Sequence, residues 1–261
     1  MENVWFKPEG YQRTSKKLQF KCLELLLGFA EIKGDVLDIG CGTGNTLKLI
    51  NNNEINSYLG IDISHDMIDF ASKINQNKKF NFIMSDFLHY ENHEGKLYDV
   101  IVCAACLHWF IPKEEEVLDR ILKYLKPNGK LFLSCAFDFN FFCGEKDIQG
   151  HVLEEIRNKY TPISPLSVFD DYRFNNEKFK NFTEYFEVLK SYRIEESINF
   201  SNYADFKDWH LGSGSVIYQQ FSNLDQEEAV NEFYQLLYDK YLIGEHKVSY
   251  STGLFLLQKR G

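Results

Sequence analysis

Apolar residues recur at positions 18, 22, 25, 26 and 29 between Ser15 and Ala30, the spacing of a helix face, with Ser15 a candidate N-cap. After that the period changes. "DVLDIGCGTGN" (35–45) reads as a short buried strand opening into a glycine turn, and "TLKLINN" (46–52) as a helix following it. A second apolar strand spans 57–64, a helix 65–75 and a third strand 80–87. "YDVIVCAACL" (98–107) is a fourth strand, "KEEEVLDRILKYLKP" a helix stopped near Pro127, and "GKLFLSCA" (129–136) a fifth strand. Strands and helices alternate from 35 to 136, the pattern of a parallel sheet with helices on both faces.

Beyond Ala136 the rhythm breaks. An aromatic segment interrupted by Pro162 and Pro165 precedes a helix-strand unit, "NEKFKNFTEYFEVLKSYRIEESINFS". A helical insertion follows over about 202–241, with "LDQEEAVNEFYQLLYDKYL" its clearest helix, and the last strand runs over 247–260. The expected organisation is one domain of 1–261: an N-terminal lid (1–34), a cofactor-binding core (35–136), an acceptor cap with the late helix-strand unit (137–246) and a final strand (247–261).

Composition narrows the partners. The chain has 261 residues, 44 % of them hydrophobic and 26 % charged, which supports an ordinary apolar core. The net charge of −9 disfavours backbone-phosphate binding, and so a nucleic-acid partner. No apolar run approaches the ~20 residues of a membrane span, and the first residues lack a signal-peptide core, so a cytoplasmic protein is expected. The 23 Phe and 15 Tyr suit an aromatic pocket or, equally, an aromatic-rich core. Among six cysteines, Cys103 and Cys106 form a C-x-x-C inside an apolar run with no second ligand pair, so buried thiols are expected and no metal.

The chemistry concentrates at strand ends. Gly40, Gly42 and Gly44 allow a tight turn and close approach of a ligand to the backbone. Asn45 stands where a dinucleotide fingerprint needs its last glycine. Asp38 precedes the turn, Asp62 ends the second strand and Asp86 the third, all at the edge where open α/β sheets bind ligands. A carboxylate at the tip of the second strand suits the two hydroxyls of a ribose.

"VLDIGCGTGN", "YLGIDIS", "SDF", "YDVIVCAACLHW" and "YLKPNGKLFLS" resemble, in order and spacing, the motifs of class I S-adenosylmethionine-dependent methyltransferases. The resemblance covers about 15–136 and implies an α/β fold: a Rossmann-like, doubly wound, mostly parallel sheet with an N-terminal lid helix and a C-terminal helical cap insertion. It implies S-adenosyl-L-methionine as cofactor. Gly40, Gly42 and Gly44 would pass under the methionine part, Asp62 would hold the ribose, and Asp86, with Phe87 beside it, would contact the adenine amino group. Met67 would pack on the adenine or belong to the core. Tyr11, Asp38, Cys41, Ile63 and Cys103 complete the expected cofactor-binding set.

The acceptor is read from "CLHWF" (106–110). Many nucleic-acid and protein methyltransferases carry a polar, proline-containing tetrapeptide here; this chain has Leu107, His108 and Trp109. The His-Trp pair, with Tyr11 and Gln19 at the N-terminus and "YTPISPL" in the cap, resembles the juvenile hormone acid and trans-aconitate carboxyl methyltransferases. That resemblance implies a small or fatty carboxylic acid as acceptor, positioned by Gln19, His108 and Trp109 as hydrogen-bond donors. Three readings stand beside it: His108 as general base for a hydroxyl or amine, a cofactor-binding module without turnover, and packing roles for His108 and Trp109. The sequence leaves the oligomeric state open.

Overall fold

The computed structural model describes residues 16–92, 95–110, 113–136, 148–163, 176–212, 216–222, 224–241 and 247–261. Tyr11, Ser15, Cys143 and the part of "YTPISPL" after Ile163 lie outside them. The strands are β1 (Gly34–Ile39), β2 (Ile55–Asp62), β3 (Phe80–Met84), β4 (Tyr98–Ala104), β5 (Leu125–Ala136), β6 (Phe186–Asn199) and β7 (Lys247–Lys259). The described α-helices are α1 (Lys16–Leu27), α2 (His65–Ile74), α3 (Glu114–Tyr124), α4 (Ile148–Lys159), α5 (Asn176–Tyr185), α6 (Tyr203–Gly212) and α7 (Gln226–Leu236).

The seven strands form one sheet in the order β3-β2-β1-β4-β5-β7-β6. β1 to β5 pair parallel, and β7 runs antiparallel between β5 and β6. Alternate residues of each strand face opposite ways, so the sheet divides two apolar clusters. Val36, Tyr58, Val100, Val102 and Phe132 pack with Leu23, Leu26 and Leu27 of α1. Leu37, Ile39, Ile101 and Leu133 pack on the other face with Val117, Leu118 and Ile121 of α3 and Phe182 of α5. This is the expected doubly wound, mostly parallel sheet. A third cluster, built by α4, α6, α7 and the residues around them, includes Val152, Ile156, Phe206, Phe221 and Phe233.

Helix ends follow their local chemistry. The Ser64 hydroxyl accepts a hydrogen bond from the Met67 N–H and caps α2, while α3 opens on Glu114, Glu115 and Glu116 and closes with Lys123, matching the helix dipole. Four boundaries differ from those read in the sequence. The helix expected over 46–52 is replaced by two 3₁₀ turns, Asn45–Lys48 and Asn52–Glu54. Asparagine side chains compete there for local partners: Lys48 Nζ donates to Asn45 Oδ1, Asn52 Nδ2 to the Leu47 carbonyl, and Asn53 N–H to Asn51 Oδ1. β3 stops at Met84, so Asp86 and Phe87 belong to the turn beyond it. β4 stops at Ala104, and Leu107–Trp109 is a 3₁₀ turn. α3 ends at Tyr124, three residues before Pro127.

Two chain directions diverge between β1 and β4, which are neighbours in the sheet although two strands separate them in sequence. The segments leaving these strands border the crevice in which open α/β sheets hold ligands. They are the glycine turn and "CLHWF".

Candidate active site

Gly40, Gly42 and Gly44 all adopt left-handed backbone, with φ of 67°, 52° and 73°. They are not equivalent. A Cβ on Gly40 would lie 2.2 Å from the Cys106 Sγ, so the glycine turn packs directly against the turn after β4. A Cβ on Gly42 would meet nothing within 4 Å, which leaves open space over the middle of the turn.

Asp62 holds the turn from the end of β2. Its Oδ2 accepts from the Gly42 N–H at 2.9 Å and its Oδ1 from the Ser64 N–H at 2.9 Å. Burial raises its pKa above the usual carboxylate value, against the pull of the Ser64, Gly42 and Ile63 N–H groups. With three N–H groups on its four lone-pair sites, the carboxylate keeps acceptor capacity for a ligand. Ile63, 52 % exposed, lies beside it, and Met67 is buried in the first turn of α2.

Asp38 lies deeper, 2 % exposed. Its Oδ2 accepts from the Tyr58 hydroxyl at 2.5 Å, and the Thr46 hydroxyl also bonds to its carboxylate. Burial pushes Asp38 up to about 6, opposed by those two hydroxyls. The geometry makes it a brace between β1, β2 and the residues after the turn, not a group presented to the crevice. Cys41 and Cys103 are buried thiols, and burial pushes Cys41 well up.

Asp86 sits in the turn after β3. Its Oδ1 accepts from the Leu88 N–H, and its Oδ2 lies 2.8 Å from Nδ1 of the exposed His89. Phe87, 2 % exposed, points into the core, edge-on to Phe110 and Tyr124 and under the Arg120 guanidinium.

After β4 the backbone turns through Ala105, a non-glycine residue at φ 51°. Its N–H is anchored to the carbonyl and the hydroxyl of Ser134 at the end of β5, both at 3.0 Å. Such strain is held where the surroundings over-determine it. The Trp109 N–H then bonds to the Cys106 carbonyl, closing the 3₁₀ turn that carries His108. The rings of His108 and Trp109 lie 5.2 Å apart. Nδ1 of His108 is buried with no hydrogen-bond partner among the described residues, and burial lowers the imidazole to about 4. A buried ring nitrogen without a partner is costly unless something else supplies one. Gln19 is half-buried near the start of α1.

The structure therefore joins Gly40, Gly42, Asp62 and Ile63 with the His108-Trp109 turn through the Gly40–Cys106 contact. It sets Asp38, Cys103 and Phe87 behind that surface. Tyr58, Thr46, Ala105 and Ser134 were not read from the sequence. A hydroxyl-bearing ring inside the aliphatic run "YLGID" was the one available sign of Tyr58; nothing in the sequence marks Ala105.

Among the described residues no cluster of His, Cys, Asp and Glu is arranged to hold a metal ion, and no helix is long and apolar enough to cross a membrane. A family model described as a methyltransferase domain matches residues 37–131. Malonyl-[acyl-carrier protein] O-methyltransferase 1 of Ilyobacter polytropus is 26 % identical over 249 residues, covering 88 % of this chain and 87 % of that protein. A second protein of that organism, malonyl-[acyl-carrier protein] O-methyltransferase 2, is 37 % identical over 102 residues; the match spans 38 % of this chain and 38 % of its own length. The N-methyltransferase NodS of Bradyrhizobium japonicum, solved in complex with S-adenosyl-L-homocysteine, shares the fold with a TM-score of 0.51 at 14 % identity, over 94 % of this chain and 87 % of its own.

Proposed function

We propose, for a chain that belongs to the class I S-adenosylmethionine-dependent methyltransferases, that it transfers a methyl group from S-adenosyl-L-methionine to the free carboxylate of a small or fatty acyl acceptor. The observation that carries the acceptor reading is the buried Nδ1 of His108, without a partner among the described residues, two residues beyond the Cys106 that packs against the glycine turn. The relatives named as malonyl-[acyl-carrier protein] O-methyltransferases support the same acceptor class.

The residues present fit the cofactor. The open space over Gly42 leaves room against the backbone, and Asp62 keeps acceptor capacity where a ribose would lie. Among the described residues neither Asp38 nor Asp62 is in an ion pair, so the crevice lies over negative charge that no side-chain cation offsets. That field suits a ligand bearing a sulfonium and an ammonium group. Ile63 and Met67 would border the adenine, with Asp86 at its amino group. The cofactor supplies an electrophilic methyl group; the chain supplies alignment and exclusion of water.

A carboxylate acceptor has a reference pKa near 4, roughly, and needs no base at neutral pH. It needs donors. A neutral His108 with its proton on Nδ1 donates one hydrogen bond, and the Trp109 indole and the Gln19 amide are the further donors we assign. The pKa of about 4 makes His108 a poor general base, which weighs against a hydroxyl acceptor. The apolar cluster built around α4, α6 and α7 is read as part of the cap over the acceptor, while α5 and β6 belong to the late helix-strand unit that joins the sheet.

The test uses radiolabelled cofactor and a panel of small, fatty and carrier-linked carboxylic acids, followed by mild base. Label released as methanol is the expected result. Base-stable label would refute the carboxylate reading, and no transfer to any acid with cofactor bound would favour a binding module.

A further inference from the structure

We propose that Tyr58 is a positioning residue of the cofactor site: its hydroxyl, reaching from β2 to the carboxylate of Asp38, locks the glycine turn into the shape that receives the cofactor. The inference rests on the cofactor reading above and concerns a residue with no place on the ligand surface.

The strand register sets the contact. Tyr58 pairs with Val36 and Gly60 with Asp38, so the phenol of Tyr58 runs along the sheet by two residues to meet the acid. The ring is 1 % exposed and fixed edge-on to Phe80 at 6.0 Å and tilted to Phe82 at 5.6 Å. Its hydroxyl donates to Asp38 Oδ2 at 2.5 Å, and burial beside Asp38 pushes the phenol well above its ordinary pKa, so it remains the donor. The other bond to Asp38 comes from Thr46, two residues beyond Gly44. A single carboxylate thus ties β2 to both sides of the glycine turn: Asp38 precedes it and Thr46 follows it. On the far side Asp62 holds Gly42.

The lock works near its limit. The titratable groups facing Asp38 are Tyr58 and Asp62 from β2, Cys41 from the turn and Cys106 from the turn after β4. None is a cation. Burial and Asp62 favour the protonated acid, and the Tyr58 and Thr46 hydroxyls favour the carboxylate, with a balance at about 6. Above that pH the acceptor-only carboxylate engages both hydroxyls; below it one oxygen carries a proton and competes with them. Removing the phenol hydroxyl moves this balance upward, toward neutral pH.

The experiment measures S-adenosyl-L-homocysteine affinity by calorimetry from pH 5 to 9, together with amide exchange of Gly42, Gly44 and Thr46 in the ligand-free chain. In Tyr58→Phe, affinity at pH 7.5 should fall about tenfold, as expected for loss of a hydrogen bond to a charged group. The acid limb of the affinity should move up by about one pH unit. The three amides should exchange faster without ligand. Phe80→Leu disturbs the packing of the same ring and should lower the melting temperature with the limb in place. Asp38→Asn should remove the Tyr58-dependent movement of the limb, leaving only what Asp62 contributes. Wild-type affinity and an unmoved limb in Tyr58→Phe would overturn the inference, as would the same displacement in Phe80→Leu or a Tyr58→Phe displacement that persists in the Asp38→Asn background. A wild-type chain that binds no S-adenosyl-L-homocysteine would instead overturn the cofactor reading, and unchanged amide exchange in Tyr58→Phe would then dispose of the lock separately.

Discussion

Around the amino ends of β1, β2, β4 and β5, Asp35, Ser57, Lys96, Asp99 and Lys126 close a network in which each carboxylate meets an ammonium. At the carboxyl ends of β1 and β2, Asp38 and Asp62 meet hydroxyls and backbone N–H groups instead. The pKa directions follow. Burial opposes ionisation of Asp35, but Ser57, Lys96 and Lys126 outweigh it and the pKa falls, whereas burial prevails at Asp38 and Asp62. One end satisfies itself; the other leaves carboxylates, an imidazole nitrogen and left-handed backbone at the proposed ligand site. The contrast separates residues that hold the sheet together from residues that serve the crevice.

The largest break in this comparison should come from two glycines in one turn. Gly40→Ala drives a methyl into Cys106 Sγ and Cβ, at 2.2 and 2.7 Å, in left-handed backbone. We expect a loss of stability of about 2–4 kcal/mol, with cofactor binding abolished. Gly42→Ala carries only the conformational cost, about 1 kcal/mol, because its Cβ enters open space. Its affinity for S-adenosyl-L-homocysteine should nevertheless fall at least about tenfold, since the proposed cofactor site occupies that space. Equal affinities for Gly42→Ala and the wild type would place the ligand elsewhere. Asp62→Ala should lower affinity about 100-fold, from a lost ligand hydrogen bond to a charged group together with a freed Gly42.

His108→Phe, which removes the Nδ1 donor that an asparagine amide would imitate, sharpens the acceptor side. The KM for the acid should rise about tenfold, the effect of one hydrogen bond to a carboxylate, with cofactor affinity unchanged. Because burial holds the wild-type imidazole at about 4, it is neutral at pH 7 and above, and kcat with saturating cofactor should stay flat from pH 7 to 9 in both proteins. A rate that climbs with pH in the wild type would restore a base-dependent acceptor. The same low value has a stability consequence. Between about pH 6.5 and 4 the unfolded chain binds the His108 proton and the folded chain does not, so stability is lost as pH falls through that window. His108→Phe should remove that part of the acid slope.

Much of the fold was readable because periodicity and burial agreed. "VLDI", "DVIVCA" and "LFLSCA" are apolar on both faces, as strands covered on both sides must be. The helix expected at 46–52 failed because its asparagines found local side-chain partners, which apolar spacing does not register. For the candidate site the sequence offered residue types at strand ends, but not their depth. Asp38 and Asp62 look alike in sequence, yet one braces the turn from beneath while the other borders the crevice. That difference is set by the register that lays Tyr58 against Asp38, and register is a long-range property. The Gly40–Cys106 contact is equally long-range, joining two turns more than sixty residues apart.

The smallest effect should come from the end that satisfies itself. Asp99 accepts from the Asp35 N–H at 2.8 Å and from Lys126 Nζ at 2.8 Å, and it is that ion pair which chiefly raises the Lys126 pKa. Both side chains are 37 % exposed, so solvent screens much of their attraction. Asp99→Ala should therefore cost about 1 kcal/mol, read as a shift of a few degrees in melting temperature. The cost should shrink in high salt, because screening already weakens the pair it removes. Affinity for S-adenosyl-L-homocysteine and the KM for the acid should not change, since the sheet between the two ends is packed on both faces and Asp99 touches neither turn. A fall in affinity comparable to that of Asp62→Ala would mean that the amino-end network sets the strand positions on which the crevice depends, and the division between the two ends would dissolve.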